Sequence, residues 1–435
     1  MKHKTRALPL LIVMMVFIAV FLSACGSDTG NNSETAWEAD PNIEIIRDFF
    51  VYQTPTDESK LKNDKSYQRG KHYYLLRNNY DKDIRIEFNT TVYNEKHREI
   101  ESATGQNLCI GTGQYGIVTE TYHSKKIYDN ADYKYTYKIL DVIRGTRSET
   151  SKLKYEYAIN DKDITVAVTN TSEDDVLASM DVIFFKDGKP IDCRSINANN
   201  DHINTALLSG TTNYNTAHWG DIDFDSVEFY PEASVYSNEH ETEVIAGEKV
   251  FDYIEIKDEY FAGDNYCYII HNKSDSTLMI SANGIFKSKD GELFDAYNSW
   301  EEYVGAGEDI CLTSISGNYG SSDNGIKPET QFIICKSSGQ VNLTDIELSY
   351  RIANTDPMSC CITAKNNSSQ KTKFLKARVV FLKDGVPVDT DITYFSDTEN
   401  DINCIFSAGN TSEEVPVYSY EDFDDVRIYL SAIPA

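Results

Sequence analysis

Apolar and polar residues alternate through most of this chain, in short stretches broken by Asn, Asp and Gly. Leu375, Ala377, Val379 and Phe381 alternate with Lys376, Arg378, Val380 and Leu382. Ala178, Met180, Val182 and Phe184 hold the matching places in an earlier stretch, and Ile86, Phe88, Thr90 and Val92 in one earlier still. A period of two with one apolar face marks a half-buried strand. Asp187-Gly188, Asp290-Gly291 and Asp384-Gly385 follow such stretches. Asp-Gly supplies the positive φ angles of a two-residue hairpin turn. Beyond residue 22 no run of ten residues carries a convincing 3.6-residue repeat. The pattern predicts an all-β fold of antiparallel strands.

The stretches also repeat one another. ITVAVTNTSEDDVLASMDVIFFKDGKPID (164–192) reads against CITAKNNSSQKTKFLKARVVFLKDGVPVD (361–389). Asn170 matches Asn366 at an offset of 196, and Phe184-Phe185-Lys186-Asp187-Gly188 matches Phe381-Leu382-Lys383-Asp384-Gly385 at 197. Gly210 matches Gly409, and Asp223-Phe224-Asp225 matches Asp422-Phe423-Asp424, both at 199. A drift of three residues is what small loop insertions produce. Weaker copies lie at 266–294 and 73–100, the latter with Asn94-Glu95-Lys96-His97 in place of Lys-Asp-Gly. Four units follow, at 41–148, 149–236, 246–340 and 341–435, in two related pairs. Each is close to the ~100 residues of an immunoglobulin-like sandwich. The expected architecture is a tandem series of antiparallel β-sandwich domains.

A strand, an Asn turn, a strand ending in aromatic-x-Lys-Asp-Gly and a closing Asp-Phe-Asp strand resemble the FxLYD-type β-sandwich repeats of bacterial envelope lipoproteins. The likeness covers 149–236 and 341–435 well, 246–340 partly and 41–148 poorly. Lys186 and Lys383 stand where the family signature has Tyr. The resemblance implies an extracytoplasmic sandwich and no particular ligand.

The N-terminus is of another kind. Lys2, Lys4 and Arg6 precede an apolar run from Ala7 to Leu22, and Leu22-Ser23-Ala24-Cys25-Gly26 follows. The run falls short of the ~20 residues of a membrane-spanning helix. Basic, apolar and small-residue parts in that order make a secretory signal over 1–24. The Cys after Leu-Ser-Ala resembles the lipobox of bacterial lipoproteins. That implies diacylglyceryl transfer to the Cys25 thiol, cleavage before it, and palmitate-type acyl chains on the membrane. Residues 25–40 read as a flexible tether. The expected location is the extracytoplasmic face of a bacterial cell membrane.

Charge then narrows the partners. The 435 residues carry 69 acidic against 41 basic side chains, a net charge of -28. Removing the signal deepens the excess, since it holds basic residues and no acidic ones. Such a surface repels nucleic acid. With 29 Tyr and 19 Phe against 10 Pro, composition again favours strands.

Candidate chemistry is sparse. Apart from Cys25 the cysteines are 109, 193, 267, 311, 335, 360, 361 and 404. Eight is an even number in an oxidising compartment, which invites disulfides. Yet they sit at strand-like apolar positions and do not recur between repeats, which favours buried thiols. No C-x-x-C is present, so no redox or zinc motif is supported. Gly111-Thr112-Gly113-Gln114-Tyr115-Gly116 spells G-x-G-x-x-G, but a strand-like stretch follows where a dinucleotide site needs a helix. Asp221, Asp223 and Asp225 open like a calcium loop, though Ser226 stands where such a loop needs Gly. They read as an acidic strand edge, with weak Ca²⁺ binding as the other reading. No G-x-S-x-G and no H-E-x-x-H occurs. Trp37, Trp219 and Trp300 are core or rim residues before they are ligand platforms.

No cofactor, no metal and no catalytic residue is expected. The expectation is a lipid-anchored protein presenting sandwich modules to an extracellular protein or glycan, on loops such as 111–116, 197–204 and 314–325. A stalk without a ligand, and an enzyme of unrecognised type, are the alternatives.

Overall fold

The computed structural model describes residues 40–52, 70–107, 109–124, 126–127, 131–140, 147–160, 163–199, 206–236, 244–288, 290–299, 301–313, 315–316, 327–337, 339–341, 343–354, 357–397 and 404–433. These residues form antiparallel strands, and the only helical turns among them are two short 3-10 segments, Thr150–Lys152 and Gly247–Asp252. The fold is all-β, as the period-two pattern predicts.

The first six strands are β1 (Ile43–Tyr52), β2 (Gly70–Asn78), β3 (Arg85–Tyr93), β4 (Glu99–Gln106), β5 (Tyr115–Tyr122) and β6 (Asp132–Leu140). They make two three-stranded sheets, β1-β2-β5 and β4-β3-β6. The wiring then recurs. Leu153–Asn160, Asp163–Asn170 and Thr212–His218 form one sheet of a second pair. Lys189–Asn197, Val176–Lys186 and Ser226–Val235 form the other. A third pair is built on Asn265–Asn272 and Leu278–Lys287, and a fourth on Met358–Asn366 and Thr372–Lys383. In each, the first, second and fifth long strands share a sheet, and the fourth, third and sixth share the facing one. Inward residues of the two sheets meet in an apolar cluster, one per pair.

A buried asparagine fixes the same corner in every pair. Asn78, Asn170, Asn272 and Asn366 each end the second strand and are fully buried. The Asn78 amide donates to the carbonyls of Lys82 and Ile110, both at 2.9 Å, and its side-chain oxygen accepts from the Tyr80 N–H. Asn170 does the same with Asp174, Leu207 and Ser172. Asn272 uses Ser276, Val304 and Ser274, and Asn366 uses Gln370, Phe406 and Ser368. Each backbone carbonyl also accepts from a glycine N–H, that of Gly113, Gly210, Gly307 or Gly409. All four glycines hold φ near +70 to +80°, a region costly for other residues. The side chain satisfies loop carbonyls that would otherwise be buried unpaired.

Two of the three Asp-Gly turns form as the sequence predicts; at Asp290-Gly291 only the glycine has positive φ, in a longer connection closed by the Ser288 N–H on the Glu292 carbonyl. Asp187 and Gly188, and Asp384 and Gly385, all have positive φ, the two-residue turn with the favoured twist.

One expectation fails on the outer faces. Val380 and Leu382 alternate with the inward set, and a half-buried strand would leave them to solvent. Both are buried, packed with Ala262, Cys267, Ile269 and Cys311 of the third pair. Ile183 and Phe185, at the matching positions of the second pair, are buried likewise against Tyr73, Leu75 and Ile117 of the first. These strands are covered on both faces, because they form the junctions between sheet pairs. The junction between the second and third pairs is more polar. Ala158 and Tyr214 meet Ile285, Leu293 and Ala296, while Thr216 Oγ1 accepts from the Ala296 N–H at 3.0 Å.

Candidate functional site

Cys25, residues 25–39 of the tether, Trp37 and Trp300 lie outside the described residues, as do 200–204, 314 and 317–325 of the loops expected to contact a ligand. Among the described residues, no helix is long and apolar enough to cross a membrane.

The glycine-rich motif is a turn at the asparagine corner. Gln114 N–H donates to the Gly111 carbonyl at 3.0 Å, and β5 begins at Tyr115. The acidic cluster is divided among cations. Arg194 holds Asp221 through two guanidinium nitrogens at 2.7 and 3.2 Å. Lys186 lies 2.9 Å from Asp225 and 3.3 Å from Asp223. Asp225 also accepts the Asp187 N–H, so it clamps the hairpin turn. Asp424 accepts the Asp384 N–H in the fourth pair. The Asp-Phe-Asp motif is thus a turn clamp. Among the described residues no group of His, Cys, Asp and Glu is arranged to hold a metal ion.

The eight described cysteines are free thiols, seven of them buried. Burial pushes the Cys109 thiol up to about 12 and Cys360 up to about 11, which keeps both protonated and unreactive. Trp219 is buried, edge-on to Phe184 at 5.0 Å.

Two places collect polar chemistry that sequence reading passed over. The first is a cleft between the third and fourth pairs, lined by Glu302, Ile310, Cys311, Lys376, Arg378 and Tyr429. Lys376 Nζ lies 2.6 Å from Glu302 Oε1, and Arg378 lies 3.5 Å from the same oxygen. All three side chains are largely buried, an arrangement that fixes how two surfaces meet.

The second lies inside the first sheet pair. His72, Tyr74, Thr90, Glu120 and Tyr122 are all fully buried between its sheets. Asp48 Oδ2 is 3.2 Å from His72 Nε2 and accepts from the Tyr133 hydroxyl at 2.6 Å. His72 Nδ1 is 2.9 Å from the Tyr74 hydroxyl, which is 2.5 Å from Thr90 Oγ1. Glu120 stands directly across the β2–β5 ladder from His72 and accepts from the Tyr122 hydroxyl at 2.9 Å. Its other oxygen has no partner in the protein. The His72 bond holds the Asp48 carboxyl below its ordinary value, with Tyr133 helping. Desolvation pushes Glu120 the other way, up to about 7, against the pull of Thr90 and Tyr122. Aromatic rings pack round the cluster: Phe50 on Tyr122 at 5.2 Å, Tyr133 edge-on to His72 at 4.5 Å.

A signal for this cluster was present. Val118, Glu120 and Tyr122 share one parity in β5, so Glu120 belongs to the inward face. Among 69 acidic residues it did not stand out.

No family model matches the chain, and no curated protein does.

Proposed function

We propose that this chain is a lipid-anchored, extracytoplasmic protein that presents four β-sandwich modules for binding, without catalysis. Acyl chains on Cys25 hold it at the outer face of the bacterial membrane, and residues 25–40 give reach. The modules are 41–148, 149–236, 246–340 and 341–435, related to the FxLYD-type repeats of envelope lipoproteins. The ligand is a polypeptide or glycan of neutral or positive charge, since the surface repels polyanions.

The observation that favours binding over a bare stalk is the edge strand Leu153–Asn160. Tyr155, Tyr157 and Ile159 line one of its faces and stay exposed, Tyr157 at 51%. Its ring lies 4.3 Å from Phe229, which continues the patch across to the facing sheet. A spacer has no need of rigid aromatic side chains in water, whereas a binding face uses them.

Two experiments test this. Capture from envelope extracts by the chain without its signal should depend on Tyr155 and Tyr157. If wild type and a Tyr155→Ser/Tyr157→Ser variant retain the same material, or neither retains any, binding at this face is wrong. Separately, Cys25→Ser should appear in the medium or as uncleaved precursor. A Cys25→Ser protein that stays processed and palmitate-labelled in the membrane removes the anchor.

A further inference from the structure

The asparagine corners, turns and wiring recur in all four sheet pairs, but a continuous polar network occupies the core of the first. It runs from Asp48 at the sandwich edge through His72, Tyr74 and Thr90, with Glu120 and Tyr122 beside it. We propose that the first sheet pair is a proton-gated element: it is closed while Glu120 carries a proton and loosens when Glu120 ionises.

The argument begins from geometry. Glu120 is fully buried; one oxygen accepts the Tyr122 hydroxyl, Thr90 beside it also favours the charged form, and the other oxygen has no hydrogen-bond partner in the protein. An ionised carboxylate so placed keeps little of the solvation it has in water. A protonated one needs less, and its O–H can serve as a donor.

The surrounding elements offer little compensation. β1 contributes Asp48 and Phe50, β2 His72 and Tyr74, β3 Thr90, β5 Tyr122, and β6 Tyr133 and Tyr135. From β4, Gly105 lies against the Glu120 stem, and the charge of Glu101 reaches Tyr122. His72 is the one basic group among these, and its Nε2 is committed to Asp48. Gly105 also shows how tightly β4 and β5 meet. A Cβ there would come within 2.5 Å of the Thr119 carbonyl oxygen and 2.9 Å of Glu120 Cγ, so the two strands are in close contact beside the Glu120 stem.

The direction follows from linkage. A Glu in the unfolded chain titrates near its ordinary 4.5, and Glu120 in the folded one near 7. Between those values the folded form holds a proton that the opened form does not. Raising the pH therefore favours opening, and the effect is complete above the folded value. Asp48 is held low and the buried tyrosines high, so none of them changes charge in this window.

The test is hydrogen exchange by mass spectrometry on the mature chain at pH 5.5 to 8.0, with rates corrected for intrinsic exchange. Peptides covering 70–78 and 115–122 should lose protection by roughly 30-fold over this range. Peptides from Met358–Asn366 and Val415–Ser419 should stay level. Glu120→Gln should abolish the pH dependence and keep the protection seen at pH 5.5. His72 and Asp48 remain in that variant, so a dependence that survives it belongs to them and overturns the proposal. So does a wild type whose first pair shows no loss, or one whose four pairs lose protection together. Thr90→Val gives a second reading if Glu120→Gln fails to fold. Val already stands at this place in the second and fourth pairs, as Val182 and Val379. Removing the hydroxyl that favours the charged form should move the midpoint of the pH response upward. An unchanged or lowered midpoint overturns the proposal as well.

Discussion

The first and fourth sheet pairs share a scaffold and differ in what fills it. Counted from the buried asparagines, His72 corresponds to Cys360 and Tyr74 to Ile362. Thr90 corresponds to Val379, and Glu120 stands across the ladder from His72 as Val417 stands across from Cys360. All of these are buried. The fourth pair thus has an apolar interior where the first has a hydrogen-bonded one. The asparagine corner and the strand wiring are indifferent to that choice, because they satisfy backbone groups and ask nothing of the central side chains. A repeat of this kind can hold its shape while one copy takes on titratable chemistry.

The largest effect should come from moving that chemistry into the wrong copy. Val417→Glu buries a carboxylate among Cys360, Ile362 and Phe381, without the tyrosines and threonine that serve Glu120. A fully buried acid titrates three or more units high, so at pH 7 it stays protonated when folded and ionises when unfolded, a loss of about 3 kcal/mol. Urea unfolding of the fourth pair, followed by exchange of its peptides at pH 7, measures it. A loss under about 1 kcal/mol would mean that this core admits water, and the contrast between the two interiors would fall.

How much of this was legible depended on which face a residue uses. Leu375, Ala377, Val379 and Phe381 were readable as one core face because their neighbours Lys376 and Arg378 are charged. Val380 and Leu382 belonged to an apolar run, VVFL, whose second face was buried for a reason lying elsewhere in the chain. Alternation reports burial within a sandwich and is silent on what packs outside it. The repeat offset located the asparagine corner, but its four hydrogen bonds depend on loop carbonyls and loop N–H groups that no side-chain pattern encodes. Lys186 and Asp225 were visible as residues, and their pairing needed the fold. Cys25, on which the proposed anchor rests, is read from the sequence alone.

Next, and close in size, is the feature the pairs have in common. Asn366→Ala removes the amide that serves Gln370 and Phe406 and the oxygen that serves the Ser368 N–H. Leaving such buried groups unpaired costs about 1–3 kcal/mol each before relaxation, so about 3 kcal/mol is expected. Asn78→Ala should cost the same within about 1 kcal/mol if the corner is independent of the core it closes. A much smaller loss in the first pair would show that its polar interior supplies substitute partners.

The smallest effect distinguishes the two pairs at a turn. In the fourth pair the Asp384-Gly385 turn puts glycine at φ +79°, with open space where a Cβ would stand. In the first, Asn94-Glu95-Lys96-His97 replaces it, and His97 adopts φ +53°. Asn94 compensates by accepting from the Lys96 and Arg98 N–H groups at 2.9 and 3.1 Å. A side chain in this region costs roughly 1–2 kcal/mol, and glycine returns roughly half to one of that through its freer unfolded chain. Gly385→Ala should therefore destabilise its hairpin by about 1 kcal/mol, and His97→Gly should stabilise its own by about 0.5 kcal/mol. The difference between the two variants, read by exchange of the flanking hairpin peptides, is the quantity to measure. Equal signs would mean that His97 is held by contacts of its ring rather than tolerated by the loop, and the two turns would then differ in kind, not only in residue.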